Sequence, residues 1–219
     1  MSDKKILKTA MNTEKGVIDN KQMNYLYYGI ANLYSKYSED NVWKYLYEST
    51  LDEHKMELED LSNRKINTIK RNIKKLEDLD NYVLQRKVFN NEIVYLICNK
   101  SLEGKYYVLI EDDILRTLIN VSNSNMIKTY CVLKYLLAKG KRKITREHLL
   151  SLIGLTSHEK NLQLITDIID ALTDLYLIKK QYAYEKREVE GRIINSQFLM
   201  LELTTYEEWT NRPSQKQKK

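Results

Sequence analysis

Residues 61–76 carry the clearest chemical pattern in the chain. Arg64, Lys65, Lys70, Arg71, Lys74 and Lys75 are interleaved with Ile66, Ile69, Ile73 and Leu76, which recur at i, i+3, i+7 and i+10. That spacing makes one apolar face on a helix. At about 100° per residue, Asn67, Lys70, Arg71 and Lys74 fall on or near the opposite face. Such a face suits a polyanion. Lys and Arg neutralise phosphates and release counterions. Arg pairs with guanine, and Asn with adenine, at major-groove edges. Ser62 and Asn63 form a capping pair before Ile66, and with the helix N-terminus they offer hydrogen bonds to a phosphate. Thr68 shares this segment, and Arg86 and Lys87 follow on a strand-prone run placed to reach a groove or the backbone. The expected DNA contacts are therefore Ser62, Asn63, Arg64, Lys65, Asn67, Thr68, Lys70, Arg71, Lys74, Lys75, Arg86 and Lys87. A solvated charged face on an ordinary amphipathic helix would use the same residue types. Context separates the two readings: a short helix and a turn precede this helix, and a hairpin follows it.

A second basic group comprises Lys141, Arg142, Lys143 and Arg146, with Lys186, Arg187 and Arg192 further on. Two roles fit it: secondary contacts to DNA phosphates, or solubility. The long helix between these groups carries Lys160 near its start, then Asp167, Asp170 and Asp174, a face that repels phosphate. It has two apolar stripes. Leu162, Ile165, Ile169 and Leu172 suffice for a core. Leu164, Ile168, Ala171 and Leu175 suggest an oligomer interface, hence a homodimer, unless a wide core covers both stripes.

Catalytic patterns are missing. The three histidines, His54, His148 and His158, show no metal-ligand spacing, and Cys98 and Cys131 form no CxxC. No phosphate loop, dinucleotide fingerprint or nucleophile elbow occurs. Glu111-Asp112-Asp113 sits at a strand-to-helix junction, where helix N-terminal charge complementarity explains it better than a metal. No clustered Arg and His partners mark one of the 17 tyrosines as a nucleophile. The expectation is a protein that is not an enzyme and holds no cofactor or metal.

The positioning elements follow from period and punctuation. Six Gly and one Pro in 219 residues are too few for a turn-rich all-β fold. Leu26, Ile30, Leu33 and Tyr37 predict a helix over 23–37, and a short helix is expected around 42–47. Met56, Leu58 and Leu61 predict another helix before the basic one. Tyr82-Val83-Leu84 and residues 93–97 read as strands joined by Asn90-Asn91. A second round follows: a strand over 106–110, helices over 114–121 and from Ile127 towards Gly140, a short helix capped by Thr145 and closed by Gly154, and a long helix capped by Thr156 or Ser157. Strands over 178–189 and 192–203 then turn at Glu190-Gly191. The predicted fold class is α+β, mainly α, with two tandem winged-helix units. The expected limits are a basic arm over 1–22, a first DNA-reading unit over 23–100, a second unit over 101–205 and a basic tail over 206–219. The net charge of +6 favours polyanionic partners. With no apolar run of about 18 residues and no signal peptide, a cytoplasmic protein without a membrane span is expected.

The stretch LSNRKINTIKRNIKKLEDL, residues 61–79, resembles the turn and recognition helix of bacterial winged-helix regulators. Residues 106–137 and 144–178 resemble helix-turn-helix proteins of Firmicutes plasmids and phages, among them replication initiators and replisome organisers. The resemblance implies double-stranded DNA binding at repeated sites near an origin or promoter, dimerisation through one unit and contact with host replication proteins. It places Asn67, Lys70, Arg71 and Lys74 at base- or backbone-reading positions. A plasmid or phage replication initiator or accessory protein is the expectation. A transcriptional regulator of a mobile element and a protein–protein adaptor with the same fold are the alternatives.

Overall fold

The computed structural model describes residues 8–12, 23–39, 43–77, 84–98, 107–121, 123–138, 140, 142–189 and 192–212. Its elements mix helix and strand, so the chain is α+β. Two units separate, Met1–Cys131 and Val132–Lys219.

The first unit opens with β1 (Lys8–Asn12) and α1 (Tyr25–Leu33). Asn24 caps α1 by accepting from the Leu26 N–H, and α1 ends at Tyr34, short of the predicted Tyr37. Strands β2 (Lys36–Tyr37) and β3 (Trp43–Tyr47) follow. The helix expected around 42–47 is thus a strand. Lys44 and Leu46 are buried while Trp43, Tyr45 and Tyr47 are half-buried, a period of two rather than 3.6. Helices α2 (Glu48–Glu53), α3 (Lys55–Ser62) and α4 (Ile66–Lys74) come next, then the hairpin of β4 (Leu84–Phe89) and β5 (Glu92–Cys98). The antiparallel sheet runs β2-β3-β5-β4, so the strand before the helices lies beside the last strand of the hairpin. Asn90 and Asn91 both have positive φ, as a two-residue hairpin turn requires. Leu46, Leu51, Leu58, Ile69, Ile73 and Ile97 fill the core.

This unit extends past the expected break at residue 100. Strand β6 (Tyr107–Glu111) pairs with β1 from Lys8↔Glu111 to Asn12↔Tyr107, so the segment expected as a polar arm is partly strand. Helix α5 (Asp112–Val121) packs on α1 and α3 through Leu115, Leu118 and Ile119. The division between units falls inside α6 (Ser124–Leu137).

The second unit continues with β7 (Arg142–Ile144), α7 (Arg146–Leu152) and α8 (Glu159–Asp174), then β8 (Ile178–Val189), β9 (Arg192–Leu203) and α9 (Tyr206–Thr210). Its sheet runs β7-β9-β8, repeating the first unit's arrangement. Thr145 caps α7 as predicted, accepting from the His148 N–H. His158, not Thr156 or Ser157, occupies the cap of α8 and makes no side-chain cap bond. Ile165, Ile169, Leu172, Ile178 and Leu201 are buried.

The tail expected from residue 206 begins as a docked helix. Thr205 and Glu208 form a reciprocal capping box, and Trp209 is buried with its Nε1 donating to the Leu175 carbonyl at 3.2 Å. Glu208 also pairs with Lys179 at 2.6 Å. Its pKa is held down to about 2, first by Lys179 and then by the Thr205 N–H. Substituting Thr205→Ala should lower stability by about 1 kcal/mol, measured by chemical denaturation. An unchanged midpoint would mean that α9 is not a structural part of the unit. No helix among the described residues is long and apolar enough to cross a membrane.

Candidate nucleic-acid interface

Ile66, Ile69 and Ile73 turn inward from α4, and Leu76 just beyond it is buried as well. Their burial fixes what the rest of the helix presents. Asn67, Arg71 and Lys74 stand exposed at i, i+4 and i+7, one row along the outer face, with Arg64, Lys65 and Lys75 exposed at the two ends. No pairing of the Arg71 or Lys74 side chains occurs among the described residues. Both lie in the last turn, where positive charge also complements the helix dipole.

Several predicted contacts are used inside the protein. Lys70 leans onto α2, with Nζ 2.6 Å from an Asp52 oxygen and 3.5 Å from Glu48. Lys70, one residue before Arg71, is thereby drawn to the α2 side of the helix and out of the outer row. Substituting Lys70→Met should leave duplex affinity within a few-fold of wild type, whereas Arg71→Met should cost about tenfold or more. Equal losses in a titration would show that Lys70 leaves Asp52 to meet DNA.

Ser62 and Asn63 do not cap α4. Ser62 is buried and its Oγ donates to the Leu58 carbonyl at 2.7 Å. Asn63 ends α3 in the left-handed region, φ 50°. The Glu59 carboxylate takes the capping role instead, accepting from the Ile66 N–H at 2.9 Å. That N–H lowers the Glu59 pKa, with Lys65 adding to it from 3.7 Å. A carboxylate at the helix start also disfavours a phosphate there. Thr68 is half-buried and its carbonyl accepts from Asn72 at 2.7 Å. On the hairpin, Lys87 is exposed, but Arg86 is half-buried with Nε lacking a partner, and its charge opposes the burial that raises the Tyr95 pKa.

In the second unit, Arg142, Arg146 and Lys186 are exposed, and Lys141 and the side chains of Arg187 and Arg192 lie outside the described residues. Lys143 is 2.8 Å from Glu185 and covers the Phe198 ring. A cleft of about 530 Å³ opens among Arg146, Thr166, Asp170, Lys180, Tyr182 and Phe198. Lys180 pairs with Asp170 there, while Arg146 donates to the Thr166 hydroxyl at 3.2 Å and, among the described residues, keeps its charge unpaired by a carboxylate. The outer face of α8 presents Gln163, Asp167 and Asp174, with Gln163 donating to Asp167 at 2.7 Å, so its acidity stands as expected. The second apolar stripe is not an open face. Ile168 is only 4% exposed, and Leu164, Ala171 and Leu175 are half-buried, so the wide core accounts for most of it.

Sequence reasoning missed one cluster, because its members come from three separate elements. Tyr34 donates to Glu57 at 2.8 Å, Arg116 lies 2.5 Å from Glu57 and 3.1 Å from the Tyr34 hydroxyl, and His54 Nδ1 meets the other Glu57 oxygen at 3.0 Å. A tyrosine with Arg and His neighbours is thus present. Burial, and then Glu57, push its pKa up to about 12. A hydroxyl held so firmly protonated stays a donor to Glu57 through the neutral range and attacks poorly. The cluster clamps α5 to α3. No group of three or more His, Cys, Asp and Glu suited to a metal occurs among the described residues.

Compared with known family models, curated proteins and solved structures, the chain matches none of them.

Proposed function

We propose that this chain binds double-stranded DNA sequence-specifically through α4, and that both units are winged helices. In each unit a helix, a strand, a helical turn unit, a second helix and a hairpin follow in order, and the first strand pairs with the last. That is the connectivity of a helix-turn-helix with a wing, whose second helix enters the major groove. The observation that carries the reading is the exposed row Asn67, Arg71 and Lys74 on α4. It combines an adenine reader, a guanine or phosphate reader and a phosphate contact on one face. The second unit, with an acidic α8, supports binding through Arg142, Arg146 and Lys186 at the backbone or recruits a protein partner. The role favoured is a plasmid or phage replication initiator or accessory protein; a regulator of a mobile element uses the same surface.

An adaptor reading is favoured by two facts: Glu59 occupies the start of α4, and Lys70 is drawn onto Asp52. Selection of bound fragments from random duplex DNA at about physiological salt separates these. Recovery of a defined motif supports DNA reading, and its location in an origin or a promoter then chooses between initiator and regulator. Failure to retain any duplex, with retention of a protein partner, would put the adaptor first.

A further inference from the structure

Each hairpin exposes apolar side chains well away from its buried base. On the first, Val88 and Phe89 are 66% and 60% exposed. On the second, Tyr184 and Ile193 are 71% and 73% exposed. In both, an exposed lysine lies within two positions along the strand: Lys87 and Lys186. Water disfavours such placement, so a contact made in the working state is the physical reason to look for.

We infer that the tip of the first hairpin is a wedge in the minor groove of the duplex: Phe89 enters and unstacks one base step and kinks it, while Val88, on the opposite face of the strand, lies along the groove wall. This rests on the reading that α4 docks in the adjacent major groove. Three features point to nucleic acid as the occupant. The first is size. A protein interface needs about 800 Å² per partner, whereas one aromatic side chain buries only about 150–250 Å². Two side chains on a narrow tip are too small for the former and match the wedges that architectural proteins insert between bases. The second is stiffness. β4 and β5 stay paired from Leu84↔Ile97 to Phe89↔Glu92, and the buried Leu84 anchors the base, so the tip is presented on a fixed arm. The third is chemistry. Lys87 precedes the pair, and Asn90 and Asn91 form the turn itself. Lysine meets the phosphates that border the groove. Asn amides donate to adenine N3 and thymine O2, the acceptors an A·T minor groove displays. The expected target is a flexible pyrimidine–purine step such as TA beside the α4 site.

The test uses the full chain and the duplex recovered by selection, carrying 2-aminopurine at successive flanking steps and a dye at each end. Wild type should shorten the end-to-end distance and brighten 2-aminopurine several-fold at one step. The Val88→Ser/Phe89→Ser variant should do neither, while its α4 footprint remains and its affinity falls by about tenfold or less. Lys87→Ala should weaken binding yet keep the brightening. Wild type bound to a straight duplex with no brightening, or a serine variant that bends as wild type does, overturns the wedge and leaves α4 reading intact. Wild type that binds no duplex overturns both.

Discussion

The double substitution Arg71→Ala/Lys74→Ala is expected to weaken binding to the selected duplex by about a hundredfold or more. Each side chain is exposed on the outer row of α4 and is placed to make a charge-assisted contact worth about 1–3 kcal/mol. Two losses of about 1.4 kcal/mol give the hundredfold. The salt dependence divides the contributions. If both residues meet phosphate, the slope of log affinity against log salt should fall by about 1.8, at about 0.9 per phosphate. If Arg71 reads a guanine, Arg71→Ala alone should also relax preference at one position of the motif. Fold damage is not the expected cause, because neither side chain is in the core. Loss of charge near the helix C-terminus costs about 0.3–1 kcal/mol per residue, a separate effect visible in thermal unfolding. Binding equal to wild type, with an unchanged slope, would remove α4 as the reading surface.

Stability should rise with pH between about 8 and 10, and Lys44 should be responsible. Its side chain is only 3% exposed, with Nζ donating to the Asn32 carbonyl near the end of α1 at 2.5 Å. Burial lowers its pKa to about 8, against a smaller opposite effect of Asp112. Below 8 the amine is charged in both folded and unfolded states, and the folded state carries the full cost of burying that charge. Between 8 and 10.5 the folded state releases its proton while the unfolded chain keeps it. The unfolded state then binds more protons, so unfolding becomes harder as pH rises. The full span is on the order of 3 kcal/mol at about 1.36 kcal/mol per pKa unit. Tyr34 and Tyr95, both pushed up to about 12 mainly by burial, act in the opposite sense and only above the ordinary tyrosine value of 10. Denaturation midpoints of wild type and Lys44→Met across this range provide the measurement. A flat profile for the variant and a rising one for wild type is the expected pair. Equal slopes would mean that Lys44 is solvated in the folded state.

The strongly periodic segments were legible. Ile66, Ile69 and Ile73 define α4, and Ile178 and Leu203 bound the second hairpin, because the pattern that forms each element is the pattern that buries it. The segment around 42–47 was not. A run as short as Trp43–Tyr47 fits either period until Lys44 and Leu46 are seen to share the buried side. Capping at α4 failed for a different reason. Ser62 and Asn63 are good cap residues, but Asn63 also tolerates the left-handed region, and the tight α3–α4 corner uses that property. The acceptor that reached Ile66, Glu59, is seven residues away and invisible to a local rule. Face assignment found the row Asn67, Arg71 and Lys74, but pairing removed Lys70 and burial half-covered Arg86. The Tyr34, His54, Glu57 and Arg116 cluster spans 82 positions between Tyr34 and Arg116, beyond the reach of any spacing argument.

The pairing of β1 with β6 sets a timetable for making the protein. Thr9 on β1 bonds Asp112, 103 residues later, at 2.8 Å. At synthesis rates of roughly 5–20 residues per second, β1 waits about 5–20 s on the ribosome before its partner exists. During that interval, buried positions such as Met11 have nowhere to go. The first unit therefore closes only once residues 107–111 have been made, and β1 is the part of it that waits.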